Sequence, residues 1–265
     1  MTRLLSALAL LAVFGALAWF SPPEGLVVAA AAIAVAGFIE LARLAEALGA
    51  RAARAPGIVL TVLVCVCAAW PGVSLVPAVV ALLVGAGVVA VTAGVPDRAG
   101  AGGVALVVGG PLYLGLPLGM LVNIGWIYGR EAAVLAVLTV VVSDSCQYYA
   151  GRLFGRTPLA PAISPKKTVE GAIGGFIGGA VFLGWAGAAW LPAVSPGARL
   201  GLGITLVAVG IVGDLLESAL KRAAALKDSS HLIPGHGGVL DRIDALLLVV
   251  PVYGLALAAA SRWGL

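Results

Sequence analysis

Apolar residues run along this chain in long blocks, and polar residues are confined to the breaks between them. A block of roughly 20 apolar residues is the length a helix needs to cross a bilayer. Nine blocks meet or approach that length, at about 4–20, 26–48, 57–70, 73–93, 101–124, 132–150, 171–190, 198–220 and 243–260. The third is short and ends at Trp70-Pro71, so it is tilted, re-entrant or merged with its neighbour. Turn and interface residues punctuate the ends: Ser21-Pro22-Pro23, Pro71-Gly72, Pro96-Asp97, Trp126 with Tyr128, and Ser195-Pro196-Gly197. Trp and Tyr favour the headgroup layer. In the first block, Ala16-Leu17-Ala18 has the small-residue look of a signal-peptide cleavage site. The run continues through Trp19 and Phe20 and more spans follow, so an uncleaved first helix is expected.

Composition supports that reading. Hydrophobic residues make up 62% of the chain and charged residues 11%, with mean hydropathy +1.11. A soluble domain is nearer half apolar and a quarter charged, so this chain has too few polar groups to cover a soluble surface. The expected fold class is all-α: a polytopic integral membrane protein of about nine transmembrane helices. Cys65, Cys67 and Cys146 lie in apolar runs and are odd in number, which implies no disulfide framework.

Charge sets the orientation. With the N-terminus in the cytoplasm, the inside set is Arg3, Arg43, Arg51, Arg54, Arg98, Arg152, Arg156, Lys166, Lys167, Lys221, Arg222, Lys227 and Arg242. The outside set is Arg130, Arg199 and Arg262. Thirteen against three satisfies the positive-inside rule. It also explains the pI near 9.2 without invoking nucleic acid. The expected organisation is N-terminal transmembrane helices over 1–100 and a catalytic transmembrane part over 101–265. Two cytoplasmic loops, 151–170 and 221–242, then lie on one side and can build one site.

Candidate chemistry concentrates in Ser218–Asp244, where 27 residues hold both histidines and seven of the chain's 28 charged side chains. Asp214, Glu217, Ser218, Lys221 and Arg222 precede or open it with spacings of three and four, which places them on one helical face. An acid near a span end is costly unless paired or metal-bound. An internal pair of Asp214 or Glu217 with Lys221 is the plain alternative. Asp241 and Asp244 open the last span, where the helix dipole favours carboxylates as simple caps. Carboxylates from two helices converging at one face would suit Mg²⁺, which keeps waters and shares its shell with substrate phosphates. The turn Ile233-Pro-Gly-His-Gly-Gly238 lets backbone N–H groups approach an anion, with His236 at its centre. Lys166 and Lys167 lie just before the seventh span, whose N-terminus is a favourable place for phosphate. Asp144 is a third intramembrane carboxylate, near the end of the sixth span. Gly171, Gly174, Gly175, Gly178 and Gly179 form a small-residue face best suited to tight helix packing. The phosphate-loop pattern of ATPases is absent.

These residues resemble the phosphatidate cytidylyltransferase (CDP-diacylglycerol synthase) family. The family's C-terminal pattern is met at Ser218, Lys221, Arg222, Lys227, Asp228, Pro234, His236, Gly237, Gly238, Asp241, Arg242 and Asp244. A second hallmark matches Ser164 through Gly171, and a third matches Asp144, Tyr148, Gly151, Arg152, Phe154 and Gly155. The run Tyr113-Leu-Gly-Leu-Pro117 is also similar to the family. The likeness is strong over about 100–260; the first hundred residues match as apolar spans. Departures are Asp144-Ser-Cys-Gln-Tyr148, where the family often has Asp-Thr-x-Ala-Tyr, and Val169, where it often has Trp.

The resemblance implies transfer of a cytidylyl group from CTP to phosphatidic acid at a cell membrane, with the site facing the cytoplasm. It implies Asp214, Ser218, Lys221 and Asp241 as catalytic residues. Lys166, Lys167, Arg222, Lys227, Asp228, His236, Gly237, Gly238, Arg242 and Asp244 would bind substrate. Asp214, Asp241 and Asp144 would hold one or two cations, chiefly Mg²⁺. The partners expected are CTP, phosphatidic acid and membrane lipids, and the glycine-rich helices permit a homodimer. Two other readings stay open. One is a CTP-dependent enzyme acting on another lipid, such as an isoprenoid alcohol kinase or an ether-lipid synthase. The other is a transporter, against which the clustering of charge at one face argues.

Overall fold

The computed structural model of the chain describes residues 15–17, 19–92, 97–230, 232 and 237–263. Among these, the first helix to be seen whole is α1 (Pro23–Ala47), which starts where the sequence places a break. Pro22 is extended at the N-cap, Pro23 occupies the first turn where its missing N–H costs nothing, and Glu24 sits at the positive end of the dipole. α1 ends at Gly49, whose φ of +91° only glycine adopts readily. α2 (Arg54–Ala69) and α3 (Val76–Thr92) follow. α4 (Arg98–Gly110) is capped by Asp97, whose Oδ1 accepts from Gly100 N at 2.8 Å. It passes through one π-helical turn, Pro111–Gly115, into α5 (Leu116–Tyr128). Pro111 cannot donate to the preceding turn, so the wider turn falls where the ladder is already interrupted.

α6 (Arg130–Phe154) leads to a small antiparallel hairpin, β1 (Pro158–Ala160) with β2 (Ser164–Thr168). α7 (Val169–Trp190) begins at once, with Thr168 Oγ1 accepting from Gly171 N at 3.1 Å. α8 (Pro196–Ala223) and α9 (Leu240–Trp263) complete the chain's helices.

Among the described residues, six helical stretches are long and apolar enough to cross a membrane: Pro23–Ala47, Arg98–Tyr128, Arg130–Phe154, Val169–Trp190, Pro196–Ala223 and Leu240–Ser261. The architecture is that of an all-α membrane protein, to which the hairpin is a small addition. α2 and α3 have 16 and 17 residues; at 1.5 Å per residue these reach about 24–26 Å, short of a 30 Å hydrocarbon core. The short third block is therefore a separate helix rather than part of its neighbour. The first expected span, 4–20, lies largely outside the described residues.

The chain divides into two compact units. One is Met1–Ile127 with Leu220–Ile243; the other is Tyr128–Ala219 with Asp244–Leu265. In the first unit Phe38 is fully buried, and Gly57 and Gly110 leave the room its ring fills. Gly115 and Gly119, four apart, lie against the backbone at Thr61 and Cys65, also four apart, so the two helix backbones meet closely. Leu60, Val64, Ala78, Leu82, Val89 and Val107 form an apolar core beside them.

In the second unit the small-residue face of α7 does what its spacing suggests. Gly171, Gly174 and Gly178 lie against α6 at Gln147, Ala150 and Cys146, and Gly179 admits Val207. Arg199 is buried, with its Nη1 donating to the carbonyls of Gly187 (3.1 Å) and Leu191 (3.4 Å), so it closes the C-terminal end of α7. The three cysteines are free thiols.

Candidate functional site

The signature residues fall into two polar groups, one in each unit. The first gathers around Asp241, in the opening turn of α9. Lys221, in the last turn of α8, places its Nζ 2.5 Å from Asp241 Oδ1. Asp241 Oδ2 accepts from Gly238 N at 2.7 Å, Ser229 Oγ at 2.9 Å and Ser229 N at 3.1 Å. The two charged side chains are 12% and 5% exposed, so the pair is largely removed from water. A carboxylate with this many donors is held in one orientation.

The two glycines before it have specific reasons to be there. Gly237 has φ +75°, and a Cβ on it would reach Asp241 Oδ2 at 2.5 Å. A Cβ on Gly238 would stand 2.5 and 2.6 Å from the carboxylate oxygens of Glu40. The Gly238 N–H, expected to face an external anion, donates to Asp241 instead. Arg222, Lys227, Asp228 and Arg242 are exposed at the edges of this group. His236 lies outside the described residues.

The second group centres on Asp214. Lys167 Nζ lies 2.5 Å from Asp214 Oδ2, and Ser218 Oγ donates to Asp214 Oδ1 at 3.3 Å. The intrahelical pair of Asp214 with Lys221 does not form: Lys167 takes Asp214, and Lys221 takes Asp241. Lys166 and Lys167 do not act as a pair either. They are neighbours on β2, where successive side chains point to opposite faces; Lys166 is exposed and Lys167 half-buried. Glu170 fixes the hairpin, accepting from Arg156 N at 3.1 Å and Thr157 N at 3.2 Å. Asp144 Oδ1 accepts from Gln147 Nε2 at 3.0 Å. It opens on a narrow cleft with Thr139, Ser143 and Gln147 of α6 facing Val207 and Gly210 of α8. Asp244 Oδ1 accepts from the N–H of the next residue, Ala245, at 2.7 Å.

Glu40, on α1, has no place in the sequence patterns, yet it is only 2% exposed. It accepts from Ser230 Oγ (2.6 Å), Leu240 N (2.8 Å), Val239 N (3.0 Å) and Ser229 Oγ (3.0 Å). The signal that could have found it is the rule applied to Asp144 and Asp214: a carboxylate inside an apolar span has a partner or a function.

Both Asp214 and Asp241 face an ammonium at 2.5 Å, so each sits where cationic charge is favoured. Mg²⁺ commonly takes one or two protein carboxylates and completes its shell with water and phosphate. Taken singly, each carboxylate is a donor of the kind such an ion takes. Among the described residues, no three of His, Cys, Asp and Glu are grouped closely enough to hold a metal by themselves.

A model of the family described as "Cytidylyltransferase family" matches residues 1–260. The chain belongs to that family. The match takes in the first hundred residues, α1 and Glu40 included. A phosphatidate cytidylyltransferase of Haemophilus influenzae is 43% identical over 130 residues, 48% of this chain and 45% of the relative. One of Thermotoga maritima is 41% identical over 130 residues, 47% of this chain and 48% of the relative. One of Pseudomonas aeruginosa is 39% identical over 140 residues, 52% of this chain and 51% of the relative. The chain thus spans about half the length of the curated relatives it matches.

Proposed function

We propose that the protein transfers the cytidylyl group of CTP to phosphatidic acid, releasing pyrophosphate and forming CDP-diacylglycerol. Family membership and the names of the relatives support the reaction class. The observation that carries the reading to this chain is the anchored Lys221–Asp241 pair, built by residues of the family signature. A phosphate oxygen of the lipid attacks the α-phosphorus of CTP, a new P–O bond forms, and the bond to the β-phosphate oxygen breaks with its electrons leaving on pyrophosphate. The lipid phosphate is already ionised, so no general base is required. What the reaction needs is alignment and neutralisation of charge.

Lys221, Arg222, Lys227 and Arg242 supply positive charge for phosphates, and Lys166 and Lys167 serve the triphosphate or the lipid headgroup. Asp228, His236, Gly237, Gly238 and Asp244 complete the substrate contacts. Ser218 orients Asp214. Asp144, Asp214 and Asp241 are the proposed cation ligands, and Mg²⁺ bound there would draw charge from phosphate oxygens. Lys167 and Lys221, paired with Asp214 and Asp241, would meet phosphate oxygens beside those carboxylates. In this reading nine spans place the N-terminus and both polar loops in the cytoplasm, where CTP is found, and the glycine-rich helices allow a homodimer.

The experiment is turnover by purified, detergent-solubilised protein supplied with CTP and phosphatidic acid, with and without Mg²⁺, beside an isoprenoid alcohol and an ether lipid. Mg²⁺-dependent CDP-diacylglycerol is the expected product. Faster turnover of either alternative lipid would overturn the substrate assignment.

A further inference from the structure

We propose that Glu40 is a positioning residue for the reaction, acting on Asp241 through Ser229 and the backbone at Gly238. The proposal rests on the reading of Asp241 given above. Glu40 stands on α1, 189 residues from Ser229 and 200 from Leu240 in sequence, yet its carboxylate binds both. Its four donors come from both sides of the signature turn, Ser229 and Ser230 before it, and Val239 and Leu240 after it. Two carboxylate oxygens offer about four lone-pair sites. Glu40 is therefore saturated by the protein itself and has no capacity left for a ligand, which separates its role from that of Asp241.

Its influence reaches Asp241 by two routes. Ser229 Oγ lies 3.0 Å from Glu40 Oε2 and 2.9 Å from Asp241 Oδ2. A hydroxyl has one proton, so Ser229 can donate to only one carboxylate at a time and links their hydrogen bonding. Glu40 also binds the N–H groups of Val239 and Leu240, so it fixes the first turn of α9 and the residue before it, Gly238, whose own N–H holds Asp241. Two glycines make this approach feasible. Gly238 has no room for a Cβ beside the Glu40 carboxylate, and Gly37, one turn earlier on α1, lies against Leu114 with Ile243 of α9 also in contact. Burying a carboxylate this deeply is costly without such bonds, and a plain apolar residue would pack α1 more cheaply. The retained charge points to a task in orientation.

Glu40→Gln keeps the shape but turns one acceptor into a donor facing other donors. In the full-length protein we expect kcat to fall at least about tenfold while KM for CTP stays within about threefold. Ser229→Ala should lower kcat as well, and the double variant should lose less than the product of the two single losses, because both lie on one route. Multiplicative losses, or a raised KM with kcat kept, would overturn the proposal. A second readout is independent of activity: residue-resolved amide hydrogen exchange. Val239 N is bound to Oε1 and Leu240 N to Oε2 of Glu40, so the one that meets the new NH₂ loses its acceptor directly, whereas Ser229 N and Gly238 N are bound to Asp241. Faster exchange at Ser229 N and Gly238 N as well in Glu40→Gln supports transmission to Asp241. Acceleration confined to Val239 and Leu240 makes Glu40 a local helix cap and refutes it. If the wild type makes no CDP-diacylglycerol, the functional reading fails on its own, and the exchange pattern still decides the role of Glu40.

Discussion

Asp241→Asn separates structure from chemistry at the centre of the first group. The carboxylate serves two sides: Oδ1 faces Lys221, and Oδ2 accepts three bonds from Ser229 and Gly238. An amide can satisfy one side only. With its oxygen toward Ser229 and Gly238, its NH₂ meets the Lys221 ammonium; reversed, it meets two backbone N–H groups. Removing one partner of a buried ion pair costs about 3–5 kcal/mol. At 12% and 5% exposure this pair is close to that limit, and the flexible lysine stem can carry its charge outward, so about 2–4 kcal/mol is expected. For a chain of this size that lowers Tm by about 4–16 °C. Turnover of CTP should fall at least about a hundredfold. Lys221→Met in the same background removes the stranded charge. We expect this double variant to regain most of the lost Tm and none of the turnover, measured by thermal unfolding and product formation on one preparation. Recovery of turnover along with Tm would show that Asp241 acts only as a structural partner, and the assignment would fall.

Gly238→Ala puts a methyl against the Glu40 carboxylate; about 1–3 kcal/mol of overpacking is expected, read as a lower Tm with turnover reduced in step. Lys167→Ala, which strips Asp214 of its partner, should lower kcat, whereas Lys166→Ala, on the other face of β2, should act on KM; identical kinetics would contradict the split of the two lysines. Arg199→Ala removes the buried guanidinium donor from the carbonyls of Gly187 and Leu191, which keep the backbone donors Leu191 N and Val194 N, and should cost about 1–3 kcal/mol of stability, while turnover per folded molecule stays within twofold of wild type.

The six long spans were legible because each is a long apolar run bounded by Pro, Gly or charge, as at Ser21-Pro22-Pro23 and Asp97. The packing face of α7 was legible for a similar reason, since its glycines repeat at helical spacing. The hairpin was not: strands of three and five residues around Pro165 carry no usable alternation, and Lys166-Lys167 reads as a pair until a strand sends them apart. An in-helix pair of Lys221 with Asp214 was the plain alternative, since a neighbour at i−7 is visible in sequence; Asp241, twenty residues on, is not. Glu40 lay furthest from view. Its partners are some 190–200 residues away, and no local pattern joins them, although the cost of an acid in an apolar helix marked it as a residue in need of a reason. The two glycines of the signature turn were singled out as an anion cradle; in the structure Asp241 and Glu40 leave no room for a side chain at either.

The most direct test of the account is the fate of label from CTP. Purified protein with phosphatidic acid and Mg²⁺ is given CTP carrying label on either the α- or the γ-phosphorus. Cytidylyl transfer predicts that α-label enters the lipid as CDP-diacylglycerol and γ-label appears in pyrophosphate, in equal amounts. Label reaching lipid from the γ-position would mean phosphoryl transfer, and no label reaching lipid from either would contradict the proposed reaction altogether.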